Sequence, residues 1–325
     1  MPFPRFLIVL ALLAALPLAA ADRLFVFHAD SQEASVFAAP SLRSLGSAPA
    51  PQGAFAAFRA GDKTFLVGSA QVRVLDADLR ATASIELPDD PATAATFDAL
   101  GQQLLVAAGG RLYRIDTLSA RIDSTLDVTS ETGGEATALY LPPDGRRLYW
   151  LRAGSRQARV VDLATNLVLP GTVDLAASPD VFSSGLLGSG AQVFPAGLFS
   201  GGVAGVFAPS QTAPALLAAN AAGAKLLRST ESLLYVPADA SQPVPLADPT
   251  TGDALAPTSQ PVAIGDDGTA YLALDGRLLA VDPSGAKSAS TAWTLSAATG
   301  LALAPEPGPE QTSLTQRSPG TASLW

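Results

Sequence analysis

The sequence predicts an all-β chain: a seven-bladed β-propeller of four-stranded antiparallel blades, its ring closed by strands from both termini. Three observations carry that expectation. A short apolar strand recurs seven times, a second strand recurs at a matching spacing, and no long segment shows the 3.6-residue apolar period of a helix. The first strand reads Leu24-Phe25-Val26, Phe65-Leu66-Val67, Leu104-Leu105-Val106, Leu148-Tyr149-Trp150, Val193-Phe194-Pro195, Leu234-Tyr235-Val236 and Ala270-Tyr271-Leu272, with central residues 41, 39, 44, 45, 41 and 36 positions apart. The second ends at Ala38, Asp76, Asp116, Asp162, Ala208, Asp248 and Asp282. A period near 40 residues built of short strands and tight turns fits the blade of a propeller.

Taken from the N-terminus, residues 1–21 form a secretory signal peptide. Arg5 supplies the positive region, FLIVLALLAAL an apolar stretch too short for a spanning helix, and Ala19-Ala20-Ala21 a small-residue cleavage site before Asp22. The propeller is expected over residues 22–305. Clusters such as PPDGR, GDDG and DPSG punctuate its strands as turns. Val181 to Ala224 holds no charged residue, but Gly, Ser and Pro interrupt every apolar run, which favours a degenerate fifth blade over a membrane span. The first unit lacks an inner strand, and TGLALAP at 299–305 is a strand left over, so the two are expected to pair and leave no open edge. Residues 306–325, dense in Pro, Gly, Ser and Thr, are expected to be a flexible tail.

Composition excludes several chemistries. There is no cysteine, which removes disulfides, thiol catalysis and thiolate metal sites. The formal charge is −9, and loss of Arg5 with the leader makes it −10, a sign that disfavours nucleic acid and anionic membranes. An exported chain, periplasmic or extracellular, with no membrane span after cleavage and a monomeric ring is the expectation.

The segment LPPDGRRLYW followed by ARVVDLATNLVL pairs a Pro-Asp-Gly turn and an aromatic strand with a strand ending in Asp and a Thr-containing turn. It resembles the YVTN-type repeat of seven-bladed propellers, and the units resemble the broader quinoprotein dehydrogenase-like superfamily. The resemblance covers residues 23–305 and is clearest in the second, third, fourth and seventh units. It implies fold more than activity, since such folds host unrelated functions. The quinoproteins' tryptophan-docking repeat is only partly matched. LADPTTGDALA keeps Asp248, Thr251 and Gly252 but has Ala256 where a Trp is expected, and Trp150, Trp293 and Trp325 are the only tryptophans. No quinone or other cofactor is therefore predicted.

The candidate chemistry is sparse. Asp76, Asp116, Asp162, Asp248 and Asp282 stand in register and are expected to accept N–H bonds from the turns that follow, one per blade at one level, rather than gather on a metal. The single histidine, His28, shares a strand side with Asp30, but no GxSxG elbow accompanies it, and no metal or catalytic residue is assigned. Glu33, Glu86, Glu131, Glu135 and Asp180 lie in or near inter-strand loops. The expected function is a binding or scaffold module for a protein, peptide or glycan. The alternative is a lactonase-like hydrolase or lyase that uses such carboxylates, with a divalent ion, at the central channel.

Overall fold

In the computed structural model, the described residues are 22–304 without 29–30, 89–90, 99–101, 129–135, 137, 142–144, 153–156, 175–214, 220–223, 230, 238–242, 257–261, 266, 275, 283–288 and 293–297. Strand-forming residues broken by short polar turns give antiparallel hairpins throughout, and the described residues hold no helix. The first sheet runs β25-β1-β2-β3, from β1 (Arg23–His28), β2 (Glu33–Ala38), β3 (Arg43–Pro49) and β25 (Ala298–Ala304). The pairing of β25 with β1, from Arg23↔Ala304 to His28↔Ala298, joins chain segments from the two ends of the described region. This is the pairing expected of the leftover strand.

The second sheet is β4 (Ala56–Ala60), β5 (Lys63–Val67), β6 (Gln71–Leu75) and β7 (Ala81–Glu86), in sequence order. The third is β8 (Ala92–Asp98), β9 (Gln103–Ala108), β10 (Arg111–Asp116) and β11 (Arg121–Asp127), likewise in order. The fourth holds β12 (Ala138–Tyr140), β13 (Arg147–Leu151), β14 (Gln157–Asp162) and β15 (Leu167–Val168), with β16 (Val173–Asp174) also on β14. A penultimate sheet orders β17 (Ala215–Ala219), β18 (Lys225–Arg228), β19 (Leu233–Val236) and β20 (Val244–Pro245). The last orders β21 (Val262–Ile264), β22 (Ala270–Leu274), β23 (Arg277–Val281) and β24 (Ala289–Ala292).

The second strands β1, β5 and β9 are buried on both faces, so their apolar residues run continuously instead of alternating. The two faces serve different neighbours. Phe58, Phe65 and Val74 meet Leu104, Tyr113 and Ile115 between the second and third sheets, with the Phe58 and Phe97 rings 6.4 Å apart. Phe25, Phe27 and Val36 meet Leu66 and Leu75 between the first and second. Trp150 and Leu148 pack on Leu105 and Leu112, Leu24 and Leu301 on Tyr271 and Leu278, and Leu226 and Tyr235 on Leu272 and Leu279. These layers join the described sheets in the order fourth, third, second, first, last, penultimate. Inner strands touch in the same succession, β12 with β8, β25 with β4, β21 with β25 and β17 with β21.

The penultimate sheet departs from the expected frame. Leu234-Tyr235-Val236 is expected to be the first strand of its unit, yet two strands precede it in the sheet, and β17, from the charge-free run, takes the innermost position. The physical reason lies in composition. The inner places carry few charges, and ALLAA fills one more readily than KLLR, which has a cation at each end. The fifth-unit strands at Val193–Pro195 and around Ala208, the leader 1–21 and the tail 306–325 lie outside the described residues.

Removing β25 by ending the chain at residue 297 exposes the edge of β1 and the buried Leu24, Phe25 and Val26. The expected outcome is loss of a single cooperative melting transition by circular dichroism. An unchanged melt would show that the β25–β1 pairing contributes little.

Candidate functional site

Aspartates at strand ends shape one end of the sheets. After β6, Asp76 Oδ1 accepts the N–H of Asp78 at 2.9 Å and of Arg80 at 2.8 Å. After β10, Asp116 Oδ1 accepts from Ser119 N at 2.6 Å, and after β14, Asp162 Oδ1 accepts from Ala164 N at 3.0 Å and Thr165 N at 2.9 Å. Each turn then closes with a left-handed residue, Leu79 (φ 65°), Ala120 (φ 54°) or Asn166 (φ 54°). The first sheet repeats the geometry with Ala38 in the Asp place and Leu42 at φ 54°. A carboxylate that takes two N–H groups relieves the strain of such a turn, which explains why Asp recurs there.

A cation from the adjoining sheet locks each of these three Asp turns. Arg23 Nη2 donates to Ala77 O at 2.7 Å. Lys63 Nζ donates to Thr117 O at 3.3 Å and Leu118 O at 2.5 Å. Arg114 Nη1 donates to Leu163 O at 2.8 Å and Asn166 Oδ1 at 3.2 Å. In every case the carbonyl just after the aspartate is an acceptor. The sequence reading missed these residues, although Arg23 and Lys63 open the second strands of their sheets and were visible as basic positions beside the apolar ladder.

Asp248 breaks the pattern. Its Oδ1 accepts Thr250 N at 2.7 Å and its Oδ2 pairs with Arg277 Nη2 at 2.7 Å across the seam to the last sheet. Arg277 opens β23, the end opposite the β21–β22 turn, and Tyr235 Oη reaches that turn, 2.6 Å from where a Cβ on Gly268 would stand. The Asp248 turn therefore sits at the opposite end from the turns of Asp76, Asp116 and Asp162. The expectation of one common level is corrected here, because the strand added at the inner edge shifts the frame by one. Asp282 lies half-buried just after β23. Where the docking repeat has Trp, Ala256 is exposed, and the Arg277 ion pair makes the contact to the next sheet. Trp150 is buried between the third and fourth sheets, and Trp293 and Trp325 lie outside the described residues.

Electrostatics follow the bonds. The Asp116 carboxyl is held below its usual range by the Ser119 hydroxyl, the Ser119 N–H and nearby Lys63. Asp162 is lowered by the N–H and hydroxyl of Thr165. At Asp248 burial pushes upward, but the Thr250 N–H and Arg277 outweigh it. The Tyr271 phenol is raised by burial and by the carboxylates of Asp267 and Asp22.

His28 ends β1, is 7% exposed, and places Nε2 3.2 Å from Ser35 Oγ, a partner that sequence reasoning did not name. Asp30 lies outside the described residues, as do Glu131, Glu135 and Asp180. Glu33 opens β2 and Glu86 closes β7, both exposed and neither on an inner strand. No cluster of three or more His, Cys, Asp or Glu side chains suited to a metal occurs among the described residues. The charged residues on the described inner strands are Arg59 of β4 and Asp98 of β8, the latter buried.

No family model matches the chain, and no curated protein matches it. Solved structures are similar in fold. The dihydro-heme d1 dehydrogenase NirN, solved in complex with DHE, aligns at TM-score 0.50 and 12% identity over 82% of this chain, which spans 63% of that one. A Bacteroides caccae protein of unknown function aligns at 0.49 and 13%, over 88% of this chain and 100% of that one. Kuenenia stuttgartiensis hydrazine synthase aligns at 0.43 and 15%, over 80% and 73%.

Two outcomes test the turn network. Replacing Lys63 with Met should cost about 1 kcal/mol, a charge-assisted bond discounted for exposure, read as a shift in urea midpoint. The lowered carboxylates contribute stability that is complete above the unfolded carboxyl range, near about 4, and is lost as pH falls through the lower folded values. Urea midpoints should therefore drop in acid, and Asp116→Asn should flatten that fall; a parallel profile would assign the acid loss to other groups. What the comparisons establish is an all-β, propeller-like fold.

Proposed function

We propose that this chain is an exported seven-bladed ring that binds a protein, peptide or glycan and holds it without turning it over. In this reading residues 1–21 are removed on export to the periplasm or beyond, residues within 175–214 supply the blade between the fourth and penultimate sheets, the β25–β1 pairing closes a monomeric ring, and residues 306–325 trail from it. The described layers support the geometry, since they run in unbroken succession from the fourth sheet round to the penultimate one. Unit spacings of 45 and 41, from Tyr149 to Phe194 and from Phe194 to Tyr235, leave room for one blade between them.

The observation that carries the binding role is the use made of charge. Asp76, Asp116 and Asp162 are each taken up by their own turn, and Arg23, Lys63 and Arg114 by a neighbour's carbonyls. Such groups fix a scaffold at one end of the sheets and leave recognition to the remaining loops. No cofactor is part of this reading.

The mature chain, made by export from a bacterial host, should carry Asp22 as its first residue by mass spectrometry. Presented to glycan and peptide arrays and to a lactone panel, it should show saturable binding on an array and leave the lactones intact. Lactone consumption dependent on added calcium would replace this reading with the hydrolase alternative.

A further inference from the structure

The seam between the first and second sheets holds an imbalance of charge that the turn network does not use. On the second sheet, Ala57, Leu66 and Leu75 face the first sheet. Antiparallel register puts Arg59, opposite Thr64, and Arg73, opposite Leu66, on that same face. Arg23 faces it from the first sheet, on the side of Phe25 and Phe27, and donates to Ala77 O. With exposed Arg43, opposite Ala38, the strand surfaces lining this seam thus carry four arginines against one carboxylate, Glu86, which stands exposed at the outer strand's far end, in a chain of formal charge −9. The nearby turn carboxylates are Asp76, held by its own turn, Asp78, paired with Arg80, and exposed Asp62.

Two of these guanidinium groups are incompletely paired. Arg59 Nη1 and Arg73 Nε are both buried with no hydrogen-bond partner, and Arg73 Nη2 makes only a long bond to Gln71 Oε1, at 3.4 Å. A buried N–H of a cation without an acceptor is costly, and native structures retain few of them. The apolar side chains of the same seam are Phe25, Phe27, Val36, Leu66 and Leu75 together with small ones such as Ala34, Ala48 and Ala302. From strand spacing and rise, the Arg59 and Arg73 backbones stand about 12 Å apart, within joint reach of one small molecule.

We propose that the seam between the first and second sheets is a binding site for a small organic carboxylate, with Arg59 and Arg73 as the groups that receive it. A guanidinium presents a planar fork that matches a carboxylate in two parallel bonds. A single negative charge spread over two oxygens is also cheaper to bring out of water than a doubly charged phosphate. The site is separate from the macromolecular binding proposed above, which rests on the loops.

The test is calorimetric titration of the mature chain with sodium glucuronate, and separately with inorganic phosphate, at constant ionic strength. Glucuronate should bind saturably, with phosphate weaker. Arg59→Gln and Arg73→Gln should each weaken it by about tenfold or more, the loss of a charge-assisted pair. Arg59→Lys should recover part of the affinity, and Arg121→Gln, on exposed β11, should leave it unchanged. Removing an uncompensated buried cation should not lower the melting temperature, so Arg59→Gln should stay folded. The proposal is overturned if glucuronate does not saturate at millimolar concentration or if the glutamine variants bind it like the parent. Tighter binding of phosphate would overturn the carboxylate assignment. Array binding that survives in the glutamine variants would keep the macromolecular reading intact whatever the fate of this site.

Discussion

The first, second, third and last of the described sheets are apolar on both faces, and that constraint governs the rest of the structure. A two-faced sheet cannot satisfy itself with one partner, so it must be sandwiched between neighbours, and each neighbour inherits the same requirement. Phe65 and Val67 serve the seam to the third sheet while Leu66, between them, serves the seam to the first. Fully burying one such side chain contributes about 1.5–3 kcal/mol, and the described seams bury from five to eleven side chains larger than alanine. The order of sheets follows from this face-to-face demand, without disulfides and with few ion pairs among the described residues.

Apolar layers set which faces meet, and polar contacts at the sheet ends add a fixed height to the seams they cross. The turn network supplies such contacts. Arg23, Lys63 and Arg114 each reach a carbonyl at a fixed place in the adjoining turn, which sets the height of one sheet against the next. The aspartate's part is to hold that carbonyl still, because its own oxygen binds the N–H groups two to four positions on. The two devices are therefore coupled: the Asp turn is the socket and the cation is the pin. Where the frame slips by one strand, at Asp248, the carboxylate itself accepts the cation, and the polarity of the contact reverses.

That reversal also bears on what the fold can present. One end of the sheets is committed to turns held by cations, while the other carries the Asp248 turn and the strand-two to strand-three hairpins, with His28 and Ser35 packed just beneath. The Arg59 and Arg73 seam belongs to neither end. It is the place where the described charges are least well matched, and so the place where the scaffold has least claim on its own side chains.

The strands, their spacing, the recurrent turn and the leftover strand that pairs with β1 were legible in the sequence because each depends on local chemistry: apolar triplets at a fixed period, and an Asp followed by residues whose N–H groups it can accept. The role of Asp76, Asp116 and Asp162 could be read for that reason. Their partners could not. Arg23, Lys63 and Arg114 act across a seam on residues 49 to 55 positions away, and nothing local distinguishes a cation in such a contact from one in water. The frame of the penultimate sheet was equally hidden, because ALLAA and KLLR are both plausible strands and only competition for the uncharged inner place decides between them. Local pattern determined which segments are strands and turns; tertiary packing alone decided which faces meet, at which end Asp248 lies, and which arginine N–H groups are left without an acceptor.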